Sequence, residues 1–160
     1  MGQSKAQRGT VVLRQAVSSD SQAIAAIRIN CQSLYLPYAS SPHSAAQLLS
    51  WVDGHLIPSG GVAVAQAADE TVGFMATSRA DDCCWIDQMY VKPGWLSQGI
   101  GAVLMAHALN TLHRPIRLHT FQENHGARRF YERHGFQAIH FTDGQANEEH
   151  CPDVLYERLT

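Results

Sequence analysis

Between Val62 and Val91 the chain reads as three short extended runs, Val62 to Gln66, Thr71 to Ser78 and Cys83 to Val91, joined by the polar connections Ala68-Asp69-Glu70 and Ala80-Asp81-Asp82. Runs joined so tightly pair with their sequence neighbours, which predicts an antiparallel meander. Upstream, Thr10 to Gln15 reads as a strand and Asp20 as the N-cap of a helix carrying Ile24, Ile27 and Cys31 at helical spacing. Ser44 with Gln47 forms a capping box ahead of a second helix lined by Leu48, Leu49, Val52 and Leu56. Downstream, Ile100, Val103, Leu104, Ala108 and Leu112 mark a helix, and Ile116 to Phe121 a strand. Ala127, Phe130, Tyr131 and His134 mark another helix, and the runs near Phe136 to Phe141 and Val154 to Leu159 are the last strands. The predicted order is β-αα-βββ-α-β-α-ββ, an α/β fold of layered α+β type with a mixed sheet of about seven strands and about four helices.

The 160 residues, 45% hydrophobic and 16% charged, suffice for one core. We therefore expect a flexible segment over 1–9 and a single domain over 10–160. Apolar runs such as Gly61 to Ala65 and Ile100 to Ala106 fall far short of the ~20 residues that span a bilayer, and the polar amino terminus lacks the apolar stretch of an export signal. Neither a membrane nor secretion is expected. Cys31, Cys83, Cys84 and Cys151 form no CxxC pair, which reads as core or surface thiols in a reduced cytoplasmic compartment, with no metal site. The net charge of -2 argues against nucleic acid as a partner. That figure conceals a net +3 over residues 114–134 and a net -4 over 135–160. The division reads either as an anionic-ligand site beside a region that receives a cation, or as a solvated helix face followed by a solvated loop.

Chemistry concentrates at two junctions. In the first, Tyr90-Val91-Lys92-Pro93-Gly94-Trp95-Leu96-Ser97-Gln98-Gly99-Ile100-Gly101 leads from a strand through a glycine-containing loop into a helix. Glycines at 99 and 101 let a ligand approach main-chain N–H groups, and a helix N-terminus favours phosphate. The spacing is neither the dinucleotide fingerprint nor a P-loop, since Leu104 stands where GxGxxG needs glycine and no GK[ST] follows. In the second, Asn124 caps a helix that Gly135 ends, with Ala127, Phe130 and Tyr131 along one face. Small Ala127 beside two aromatics leaves a slot for an extended ligand, or simply forms a core-facing stripe.

Taken together, the residues, order and spacing of these junctions resemble the GNAT-type N-acetyltransferases over about residues 10–142, most sharply over 85–136. The resemblance implies a GNAT-like sheet and acetyl-CoA as co-substrate. It places the pantetheine arm on the backbone of Met89, Tyr90 and Val91. It places the phosphates on the loop and helix start formed by Leu96, Ser97, Gln98, Gly99, Ile100, Gly101 and Ala102, with Leu96 departing from the family's usual Gln or Arg. Asn124, Ala127, Phe130 and Tyr131 complete the cofactor side, and Arg128 or Arg129 is expected to reach the 3′-phosphate. Tyr131 matches the tyrosine that protonates the departing thiolate. The chemistry agrees, because a phenol, pKa ~10, stays protonated where a thiol, pKa ~8.5, is half ionised.

An acceptor ammonium must also lose a proton before its nitrogen attacks. Asp87 precedes Met89 by two and is expected on its strand face. His119, five residues before Asn124, carries an imidazole suited to a neutral-pH base. Each is a candidate base or a structural strand residue, and some relatives use no single base. The acidic Thr142 to Asp153 connection resembles the Asn-Glu-Glu and Pro-Asp pattern of a subgroup of these enzymes. It brings Asn147, Glu148, Glu149 and Asp153 as candidates to recognise a cationic acceptor, with the Leu34 to His43 loop also expected to shape that side, or is simply a solvated loop pinned by Pro152. The expected reaction is acetyl transfer to a primary amine of a small molecule or peptide. The alternative is a non-catalytic acyl-CoA-binding sensor. Dimers are common among these enzymes, so a homodimer is compatible with the chain.

Overall fold

Both connections of the meander are two-residue turns with left-handed central residues: Ala68 and Asp69 at φ 50° and 60°, and Asp81 and Asp82 at φ 55° and 60°. Successive left-handed residues match the twist of the flanking strands and lock β2 (Val62–Ala67), β3 (Glu70–Ala80) and β4 (Cys83–Val91) into antiparallel register. These features belong to a computed structural model that describes residues 10–160; the segment 1–9, expected to be flexible, lies outside the described residues. With β1 (Val12–Gln15), β5 (Ile116–Phe121), β6 (Gln137–Phe141) and β7 (Asp153–Arg158), the strands form one seven-stranded sheet in the order β1-β2-β3-β4-β5-β7-β6. Every neighbouring pair is antiparallel except β4 with β5.

Helices cover both faces. On one, α1 (Ser21–Tyr35) and α2 (Ala45–Trp51) bury Ile24, Ile27, Cys31 and Leu48 against Val64, Phe74 and Ala76. On the other, α3 (Ile100–Thr111) and α4 (His125–Arg133) bury Ile100, Leu104, Met105 and Tyr131 against Val72, Met75, Ile86 and Tyr156. Gly73 permits the close seating of α3, since a Cβ there would meet the Tyr90 carbonyl at 3.0 Å and Ile100 Cγ2 at 3.1 Å. All four cysteines are buried, unbridged thiols.

Strand and helix order agree with the sequence reading, and the capping box is complete: Gln47 N–H donates to Ser44 Oγ at 3.1 Å and Ser44 N–H to Gln47 Oε1 at 2.8 Å. Two local expectations are corrected. The helix expected to continue through Leu56 is α-helical only to Trp51; a wider π turn over Val52–Leu56 and a 3-10 turn over Ile57–Ser59 complete it. Asp20 does precede α1, but its side chain caps nothing there. Its carboxylate instead accepts from both terminal nitrogens of Arg14, at 2.8 and 2.7 Å, and from the Val17 amide at 2.8 Å. A nearby guanidinium offering two donors outcompetes a helix amide for the same oxygens.

Candidate active site

The parallel strands β4 and β5 pair only at Cys84 with Ile116 and Trp85 with Arg117, then part. At the vertex the rings of Trp85 and His119 stack, centroids 5.5 Å apart and 13° from parallel. Beyond it opens a cavity of about 1240 Å³, lined on one side by the α3 N-terminus and α4 and on the other by α1 and the β6–β7 connection.

Backbone alternation decides what β4 offers to the gap. Lys92 N–H bonds the Val72 carbonyl on the β3 side at 2.7 Å. The main-chain groups of Val91 and Met89, one and three residues earlier, therefore point toward the parted edge. One is partly engaged, since the buried Cys31 thiol donates to the Val91 carbonyl at 3.1 Å, and burial pushes that thiol up to about 11.

At the mouth of the cavity the chain turns through Ser97 and Gly99, with φ of 59° and 84°, into α3. Gly99 is the N-cap and supplies no side chain to cap with. Val103 is the first amide to bond back into the helix, to the Gly99 carbonyl at 3.0 Å, which leaves the preceding amides of the first turn as donors for an anion. Gly101 lies against the Phe130 ring, and Gln98 closes the loop by donating to the Gly94 carbonyl at 3.0 Å. Leu96 is exposed at the rim. A glycine-shaped N-terminus without its own cap, adjoining an unpaired strand edge, fits a phosphate-bearing ligand with an extended amide arm.

The second junction is built as its sequence suggests. Asn124 Oδ1 accepts from the Ala127 amide at 3.2 Å and starts α4. Ala127, Phe130 and Tyr131 line the cavity. Tyr131 is fixed among Phe130, Phe136 and Tyr156, at centroid distances of 5.5, 6.0 and 6.2 Å. Burial, reinforced by the Tyr90 phenol, pushes its hydroxyl well above the ordinary range, so it stays protonated.

Asp87 departs from expectation. The β3–β4 register slips between Thr77, opposite Ile86, and Ala76, opposite Gln88, which makes Asp87 the extra residue of a β-bulge. Ile86, Met89 and Val91 consequently all pack toward α3, while Tyr90 packs toward α1. Asp87 shares the α1-side face with Gln88 and Ser78, opposite Met89. Burial in the cleft raises its carboxyl above the usual range, and the hydrogen bond from Ser78 opposes that shift. His119 lies on the same face, since Leu118 beside it belongs to the α3-side core.

The charged segments also resolve differently from their sum. Arg117 pairs with Glu157 at 2.7 Å, and Arg114 donates to the Leu109 and Leu112 carbonyls at the end of α3. Arg128, expected near a phosphate, donates to Tyr156 Oη at 3.1 Å and the Gln122 carbonyl at 3.2 Å, and lies over Phe141. It is absent from the cavity wall, where Arg133 appears instead. A net charge summed along the sequence does not register that three of the five arginines hold the scaffold together. In the acidic loop, Asn147 bonds the backbone of Cys151 and the Asp153 carboxylate, and Glu148 pairs with His43 at 3.1 Å. Glu149 lines the cavity.

Arg28 escaped the sequence reading. It interrupts the apolar stripe of α1 between Ile24 and Cys31, and a lone charge at such spacing was the available signal.

The sequence matches the model of the acetyltransferase (GNAT) family over residues 26–136. A search among curated proteins gave no match. Among solved structures, a GNAT acetyltransferase from Bacillus cereus superposes with a TM-score of 0.75 at 16% identity, covering 95% of this chain and 99% of its own. PaiA N-acetyltransferase from Thermoplasma acidophilum, in complex with coenzyme A, gives 0.74 at 14% identity over 94% and 99% of the two chains. Arabidopsis thaliana Naa50, in complex with a bisubstrate analogue, gives 0.68 at 19% over 94% and 99%. At these identities the likeness is one of fold.

Proposed function

The chain belongs to the GNAT acetyltransferase family, and from that premise we propose that it transfers an acetyl group from acetyl-CoA directly to a primary amine. The observation carrying this reading is one continuous cavity through the parted strands, which joins the uncapped α3 N-terminus on one face to the Asp87, His119 and Glu149 side on the other. Acetyl-CoA supplies an activated thioester. First-turn amides of α3 and the loop from Leu96 to Ala102 hold its phosphates, and the main chain of Met89 to Val91 pairs with its amide arm. Asn124, Ala127 and Phe130 shape the slot beside α4.

Two protons must move. The amine nitrogen forms its bond to the acetyl carbon as the carbon–sulfur bond breaks; the nitrogen gives up a proton and the sulfur gains one. We assign the donor to Tyr131, whose burial keeps its hydroxyl intact. We assign the acceptor role to Asp87, whose raised carboxyl is a stronger base than an ordinary aspartate. His119, held by Trp85, borders the same space and orients the approaching amine. Holding both reactants together in one cavity contributes to the rate by proximity and orientation.

Incubation with acetyl-CoA and a panel of amines, with free thiol followed over time, tests the reading. Sustained, amine-dependent release is expected. Stabilisation by CoA without turnover of any amine would identify a sensor instead.

A further inference from the structure

The acceptor half of the cavity contains a cation that the proposed reaction leaves unused. Arg28 projects from α1 into the wall, half-buried. Its guanidinium lies 5.7 Å from the Trp51 ring centroid, and one nitrogen donates to Gln88 Oε1 at 3.4 Å. Among the described residues no carboxylate pairs with it, whereas Arg14 and Arg117 each have one. A guanidinium offers five donors in a plane, and a neutral amide at long range with an indole face engages few of them. Gln88 and Trp51 orient the fork without neutralising it.

Its position excludes the phosphates of CoA, because α1 lies across the sheet from the α3 N-terminus. From the other bank of the same space comes Glu149, also without a cationic partner among the described residues. Arg28, Tyr90 and Glu149 all line this one cavity. A purely cationic acceptor such as a polyamine would be repelled by Arg28. A peptide N-terminus would present a neutral amide where Arg28 waits.

Resting on the acetyl-transfer reading, we infer that the acceptor is a small zwitterion, an amino acid whose free carboxylate is gripped by Arg28 while its ammonium faces the Asp87 and Glu149 side. An Arg–carboxylate contact is bidentate and charge-assisted, and removing the anion leaves the fork unpaired.

The test compares common L-amino acids with their carboxamides as acceptors, with spermidine and a tripeptide as references, in the wild type and in Arg28→Gln and Arg28→Lys. The expected result is a kcat/KM preference for the free acid of at least about 10-fold, falling toward unity in Arg28→Gln and partly restored in Arg28→Lys. CoA-induced stabilisation of each variant serves as the folding control. Equal or better use of the carboxamides, spermidine or the tripeptide overturns the inference while acetyl transfer stands. An acid preference that persists in Arg28→Gln also overturns it. Absence of turnover with every amine, despite CoA binding, removes both readings together.

Discussion

The ring of Trp85, on the last rung that joins β4 to β5, stacks at 5.5 Å on the ring of His119, two residues past its rung partner Arg117. An aromatic pair contributes about 0.5–1.5 kcal/mol beyond its buried area, and here it sits where two parallel strands stop pairing. Trp85→Leu keeps bulk but removes the ring face. A loss of about 1 kcal/mol in urea unfolding is expected, together with a raised KM for acetyl-CoA, because the splay at the vertex sets the width of the slot. An unchanged KM would show that the slot does not depend on this clasp.

Tyr131→Phe retains the ring packing against Phe136 and Tyr156 and removes only the proton donor. Steady-state thiol release should show kcat lower by about 10²-fold, with little change in KM or melting temperature. Full turnover in this variant rules out the assigned role.

Asp87 links stability to activity. Its folded-state value is raised by burial, so the folded chain binds this proton more tightly than the unfolded chain does. The resulting stabilisation is complete below about pH 4 and is lost as pH rises through the raised value. Near pH 7 the ionised carboxylate therefore opposes folding. Asp87→Asn should melt slightly higher than the wild type near pH 7 and at the same temperature near pH 4, while kcat falls at least about 10-fold. A variant that melts lower near pH 7 and keeps its kcat contradicts both halves.

Asp20 has the opposite sign. The hydrogen bond from Arg14 holds its carboxyl below the usual range, aided by the Val17 amide and opposed by burial. Its contribution is present above about pH 4 and disappears as pH falls through the depressed value. Asp20→Ala is expected to cost about 2–3 kcal/mol near pH 7. Urea titrations near pH 7 and pH 2 should show the difference from wild type shrinking at the lower pH.

Ala68 holds a left-handed conformation, φ 50°, without the local hydrogen bonding that lets Asn tolerate it. Ala68→Asn should stabilise the chain by about 0.5–1 kcal/mol. A lowered urea midpoint would contradict the turn assignment.

The order of elements, the Ser44–Gln47 capping box and the Asn124 cap were legible because they depend on local spacing and short-range hydrogen bonds. The glycine loop before α3 was legible for the same reason, and so was the family it resembles. Other features depended on partners far along the chain. Asp20 was assigned to α1 by position, but Arg14 across the strand end offered two donors. Arg128 or Arg129 is expected at a phosphate from the position of both at the start of the helix after Asn124, and of the two Arg128 is held by Tyr156 and Gln122.

By itself, the sequence determined a layered fold with a mixed sheet, a glycine-containing loop entering a helix, and a tyrosine on the helix that Asn124 caps. Tertiary structure decided which side of the sheet each reactive group serves. Strict alternation puts Asp87 with Met89, yet one extra residue against Ala76 and Thr77 turns it toward α1. A bulge is a property of a strand pair, so no single strand announces it. The same holds for Arg28, whose significance appears only when Gln88, Trp51 and the empty pairing edge of β4 come together around it.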